Sequence, residues 1–100
     1  MPGFSTQVPH NLGRESATER LKGFVQIIQQ RYQDQVKDLQ GEWNDNVLDV
    51  SFSTYGFKIK ANVVVEDDSV KLNGELPFTA MAFRGKIEQS IKGELEKALA

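Results

Sequence analysis

Three runs decide the fold. They are Leu48-Asp49-Val50-Ser51-Phe52-Ser53, Phe57-Lys58-Ile59-Lys60-Ala61-Asn62-Val63-Val64-Val65, and Val70-Lys71-Leu72-Asn73-Gly74-Glu75-Leu76. In each, apolar residues alternate with mostly polar ones, the period of two that marks a strand with one buried face. Such runs joined by short loops make an antiparallel sheet covered on one side. A one-residue slip would turn a whole strand inside out, so the apolar faces fix the pairing. A two-residue loop at Tyr55-Gly56 sets Phe52 opposite Ile59 and Val50 opposite Ala61. A loop over residues 66–69 sets Val65 opposite Val70 and Val63 opposite Leu72. The same register brings Lys60 opposite Glu75 on the polar face, a favourable cross-strand pair. A turn at Asp45-Asn46, residue types that tolerate positive φ, puts Trp43 opposite Leu48 and Leu39 opposite Phe52.

On either side of this meander the period changes to that of a helix. Ala17, Leu21, Phe24, Val25, Ile28 and Tyr32 recur at three- and four-residue spacing and predict a helix over residues 14–37. Gly23 falls inside it at a cost of roughly 1 kcal/mol relative to alanine. After Pro77, residues 80–99 carry a second stripe of Phe83, Ile87, Ile91, Leu95 and Ala98. At the N-terminus, Phe4, Thr6 and Val8 alternate weakly up to Pro9, which donates no ladder hydrogen bond; this segment is either a short strand or a frayed arm. The expected fold is α+β in one domain spanning residues 1–100. It is a four-stranded antiparallel meander with a candidate fifth, N-terminal strand, and two amphipathic helices cover one face, in the order (β)-α-β-β-β-β-α.

Composition narrows the function classes. Hydrophobic residues make up 39% and charged residues 26% of the chain, ordinary values for a globular protein. The net charge is -2 and the acidic and basic residues are interspersed, so the basic stripe of a nucleic-acid binder is absent. There is no cysteine, which removes disulfides, thiolate catalysis and cysteine metal sites. No run approaches the roughly 20 apolar residues of a membrane span. The first residues lack the basic start and apolar core of a signal peptide. A cytoplasmic location is therefore expected. An uncovered sheet edge is a candidate site for homodimerisation.

The search for reactive groups ends without a catalytic constellation. His10 is the one histidine, and no second histidine or Gly-x-Ser-x-Gly setting accompanies the serines. Glu66-Asp67-Asp68 lacks the alternating ligand positions of a calcium loop and reads as a solvated turn. Leu12-Gly13-Arg14 before a helix is too sparse for a phosphate cradle. No catalytic, metal or cofactor-binding residue is assigned, and an activity as an enzyme is not expected. Four residues are candidates for ligand or partner contact. His10 precedes the first helix. Arg84 projects into the second apolar stripe, where its stem either lies on apolar surface with its head toward Glu88 or meets a ligand. Phe78 sits in the connection Pro77-Phe78-Thr79-Ala80-Met81, and Phe83 ends it.

The pattern as a whole resembles a known family. His10-Asn11-Leu12-Gly13 with its helix, Trp43 before a tight turn, the alternating strands to Leu76, and Phe83-Arg84-Gly85-Lys86-Ile87-Glu88 leading into Ile91, Leu95 and Leu99 resemble the polyhydroxyalkanoic acid system family, also described as polyhydroxyalkanoate granule-region proteins. The resemblance spans residues 8–99 and rests on the order and spacing of these elements rather than on one diagnostic motif. His10, Gly13, Trp43 and Arg84 fall at positions that look characteristic of the family; no catalytic residue is carried over. The glutamine-rich first helix departs from the family pattern, where more alanine and charge are expected. The resemblance implies a non-enzymatic accessory protein of polyester storage, touching the granule surface or a granule protein. The alternative is a small apolar or acyl-ligand binder with a pocket between helices and sheet, discriminated by a void beside Arg84.

Overall fold

The computed structural model describes residues 3–100. The elements run β1 (Gly3–Pro9), α1 (Arg14–Leu21), α2 (Phe24–Arg31), β2 (Val36–Asn44), β3 (Val47–Thr54), β4 (Phe57–Val65), β5 (Ser69–Glu75), a 3₁₀ turn (Phe78–Phe83) and α3 (Arg84–Leu99). The strands form one antiparallel sheet in the order β1-β5-β4-β3-β2. The segment at the N-terminus is thus a strand. Phe4 pairs with Gly74 and Val8 with Val70, and the pairing ends at Pro9 against Ser69. Gly74 has no side chain because the Phe4 ring occupies that space; a Cβ there would overlap it.

The hairpin registers agree with the alternation. Phe52 faces Ile59, Val50 faces Ala61, Val63 faces Leu72, Val65 faces Val70, and Lys60 faces Glu75. Tyr55 and Gly56 make the β3–β4 turn with φ of 53° and 80°, the two positive values that match the natural strand twist. At the β2–β3 end, Trp43 faces Leu48 as expected. The expected pairing of Leu39 alone with Phe52 is corrected. A bulge between Lys37 and Gln40 sets two residues, Asp38 and Leu39, against Phe52, with Asp38 at φ 55°. The reason lies in the sequence. Strict alternation from Trp43 would carry Lys37 onto the core face. One extra residue brings Val36 there instead, opposite the buried Thr54.

The helix expected over 14–37 is also corrected. It breaks at Lys22 and Gly23, resumes at Phe24, and ends at Arg31, after which residues 32–35 turn into β2. The break lets the chain follow a twisted sheet. Contacts of α1 are with β4 and α3, while those of α2 are with β2 and α3. Leu21 and Phe24, on either side of the break, are both buried. The second helical segment begins as a 3₁₀ turn rather than an α-helix, with the Ala80 N–H bonded to the Pro77 carbonyl at 2.9 Å. Leu21, Leu48, Ile59, Leu72, Leu76 and Leu95 are fully buried in the layer between sheet and helices, each contributing about 2 kcal/mol.

Candidate functional site

Between the apolar face of the sheet and the two helices α2 and α3 lies a cavity of about 170 Å³. Its floor is Val50, Phe52, Ala61, Val63 and Leu72, the inward residues of three strands. Ala61 is the small one among them, flanked on β4 by Ile59 and Val63. The α2 wall supplies Phe24, Val25 and Ile28, and the α3 wall Ile87 and Ile91. Val36 and Leu39, which the bulge turns inward, close the β2 side. The same periodicity that builds the core therefore also builds a space that the core does not fill.

Polar residues line the cavity at one end. Thr54 and Tyr55 close β3, and Val36 pairs with Thr54, which brings Gln35 beside them. Lys86 and Ser90 stand one turn apart on α3 and also line it. Tyr55 is 38% exposed, and its ring stacks on Phe83 with centroids 4.7 Å apart and planes 10° from parallel. Phe57 packs on the same Phe83 ring at 5.9 Å. The Lys86 ammonium lies 5.2 Å from the Tyr55 ring centroid, within cation–π range. A tyrosine with φ of 53° is strained, because a side chain in the left-handed region crowds its own backbone. Such a residue persists where its surroundings over-determine it, here by the stack on Phe83.

One wall of the cavity is fastened by charge. Glu94 on α3 has a side chain only 4% exposed. Arg31, the last residue of α2, donates from Nη1 to both of its oxygens at 3.1 Å. Tyr32, which lines the cavity, donates its hydroxyl to Glu94 Oε1 at 3.3 Å, and Lys97 Nζ lies 3.8 Å from the same oxygen. Burial holds the Tyr32 phenol above its ordinary pKa, reinforced by the charge of Glu94 and the hydrogen bond to it, against a smaller lowering by Arg31.

The four residues singled out from sequence are spread over the molecule. His10 is buried as a staple: its backbone N–H donates to the Asp68 carbonyl at 2.9 Å, and its ring Nδ1 accepts the Leu12 N–H at 3.1 Å. An accepting Nδ1 leaves the proton on Nε2, which donates to the Glu66 carbonyl at 2.9 Å. The ring thus ties the β1–α1 connection to the β4–β5 loop, apart from the cavity. Arg84 is half-exposed, with Nε 4.0 Å from Glu88, and lies outside the cavity lining; the cation at the mouth is Lys86. Phe83 supports the mouth through Tyr55. Phe78 is 77% exposed and shares one side of the 3₁₀ turn with Met81, three residues on. The sequence reading missed Lys86, Tyr55 and the Arg31–Tyr32–Glu94 cluster. Only the four-residue spacing of Lys86 and Ser90 hinted at a polar strip on α3. The Trp43 indole N–H is buried without an acceptor among the described residues, and Trp43 is not part of the cavity. Among the described residues no three histidine or carboxylate side chains converge as a metal site requires, and no helix is long and apolar enough to cross a membrane.

Comparison with known proteins places the chain. The family model described as "Putative polyhydroxyalkanoic acid system protein" matches residues 5–99. The chain belongs to the polyhydroxyalkanoic acid system family. The solved structure "Crystal structure of Ara h 8.0201", a protein of the Bet v 1-like fold, superposes with a TM-score of 0.52. The overlap covers 98% of this chain and 97% of that one at 11% identity, a likeness of fold alone. No curated protein matches the sequence.

Proposed function

We propose that this protein is a non-enzymatic, cytoplasmic binding protein of the polyhydroxyalkanoate storage system, and that it works by holding a small apolar acyl ligand in the space between sheet and helices. The observation that carries the reading is the apolar cavity of about 170 Å³ with its polar groups gathered at one end. A tightly packed core would remove that volume, since interiors normally leave few voids larger than a water molecule. The lining is mostly aliphatic and aromatic, with a few polar groups, the composition that suits holding an acyl chain. Ala61→Leu fills the floor of the cavity with apolar volume. It is expected to leave the protein folded and to abolish saturable acyl-ligand shifts in an NMR titration. Unchanged ligand binding by that variant would refute the cavity as the site.

A second reading is favoured by Phe78 and Met81, which are 77% and 37% exposed on one side of the 3₁₀ turn. Adjacent exposed apolar side chains mark contact surfaces. In this reading the turn meets the polyester granule or one of its proteins. Co-sedimentation with native and protein-stripped granules tests it. Binding to both kinds that is lost in Phe78→Ser supports direct contact with polymer, and binding to native granules only supports a protein partner. Binding to neither ends the reading.

A further inference from the structure

Resting on the cavity as the binding site, we infer that its ligand is a medium-chain carboxylate monoanion, with the acyl tail on the sheet and the carboxylate at Lys86. A free hydroxyalkanoic acid belongs to this class. Three features point to it.

The first is the make-up of the lining. Most of it is aliphatic and aromatic, but Thr54 and Tyr55 end β3, the Lys86 ammonium lies 5.2 Å from the Tyr55 ring, and Ser90 follows Lys86 one turn along α3. An amphiphile fits this polarity; a purely apolar ligand would leave it unused. The second is the charge. Lys86 is exposed and, among the described residues, no carboxylate lies within ion-pair distance of it. Its ammonium is held over the Tyr55 ring at 5.2 Å, so it is positioned at the mouth yet keeps its hydrogen-bond donors. The third is strain. Tyr55 occupies a left-handed backbone conformation at the same mouth, at φ 53°, where glycine or asparagine would sit without penalty. Outliers of this kind cluster at ligand clamps.

Volume sets the chain length. A protein cavity of roughly 150 Å³ accepts benzene, so a space of about 170 Å³ takes some six carbon atoms. Affinity should therefore climb by roughly fourfold per methylene from butanoate to heptanoate and then level off, because further methylenes stay outside.

The test is a set of NMR titrations at low ionic strength, using octanoate, its uncharged isostere octanamide, and the variants Lys86→Gln and Lys86→Arg. Octanoate is expected to bind about two- to fivefold tighter than octanamide, the range of an exposed ion pair, with the advantage fading in added salt. Lys86→Gln should erase that advantage without weakening octanamide, and Lys86→Arg should keep it. Lys86 is exposed, so neither variant threatens folding. Equal binding of acid and amide by the native protein overturns the inference while leaving the cavity as an apolar site. A preference for the acid that survives Lys86→Gln overturns it as well, by placing the carboxylate elsewhere. Binding of neither compound overturns the proposed function itself and this inference with it.

Discussion

Arg31→Met tests whether charge holds α2 over the cavity. Arg31 contacts both oxygens of Glu94 at 3.1 Å, and the Glu94 side chain is only 4% exposed. Removing one partner of a fully buried pair costs about 3–5 kcal/mol, because the other charge is left without compensation. Two features reduce that figure here. Arg31 is itself 52% exposed, and Lys97 and Tyr32 remain on Glu94 at 3.8 and 3.3 Å. The expected loss is about 1–2 kcal/mol. Glu94→Gln keeps the shape and removes the charge, at a cost of about 1 kcal/mol. In the double variant no unpaired buried carboxylate remains, so its loss should fall short of the sum by about 1 kcal/mol. Urea unfolding reads these values, with an unchanged slope confirming that the native state is otherwise intact. Hydrogen exchange locates the effect: α2 amides should lose protection in Arg31→Met while the β4 and β5 amides change only with global stability. A loss below about 0.3 kcal/mol, or additivity of the two substitutions, would refute the fastening role.

Gly74→Ala should destabilise the protein by about 1–3 kcal/mol through overlap with the Phe4 ring, and the penalty should shrink in a Phe4→Ala background; equal penalties in both backgrounds, by thermal unfolding, would contradict the packing of β1. Tyr32 has a pKa raised in the folded state, so its contribution is present below the ordinary value of 10.0 and is lost as pH rises past it. Tyr32→Phe should therefore be less stable than the native protein at neutral pH by about 0.5–1 kcal/mol, and the gap should close in alkaline solution; a constant gap would sink the assignment. Gly23 has φ -90° and no atom within 4 Å of an added Cβ, so Gly23→Ala should stabilise by about 0.4–1 kcal/mol in denaturant unfolding, whereas a destabilised variant would show that the helix break needs glycine.

The sheet was legible because pairing leaves few choices. Each apolar alternation had one register that kept Ile59, Val63 and Leu72 on the same face, and the structure adopts it. Alternation fails at Asp38, where one extra residue was needed to keep Lys37 out of the core; the Val36-Lys37-Asp38-Leu39 run held that conflict openly. The break at Gly23 was less visible. The apolar spacing from Ala17 to Tyr32 fits one straight helix as well as two, and Gly23, unfavourable in a helix interior by roughly 1 kcal/mol, is the one local sign of where it parts.

The cavity was beyond the reach of pattern for a different reason. Periodicity reports which face of an element turns inward, but it carries no volume. Ile87 and Ile91 read identically whether they touch Val63 or stand across a gap from it. What marks the gap is the misfit between the span of α2 and α3 over the sheet and the side chains available to fill it, with Ala61 on the floor where a larger residue would fit. The mouth has the same origin. Arg84 and Lys86 are two residues apart on one helix, so a rotation of some 200° separates them. Sequence alone favoured Arg84 because it projects into the apolar stripe, yet its head turns to Glu88 at the helix start. Lys86, off that stripe, reaches the cavity because the β3–β4 turn brings Tyr55 up beside α3. A binding site of this kind is a property of two elements meeting at an angle, and neither element's sequence contains the angle.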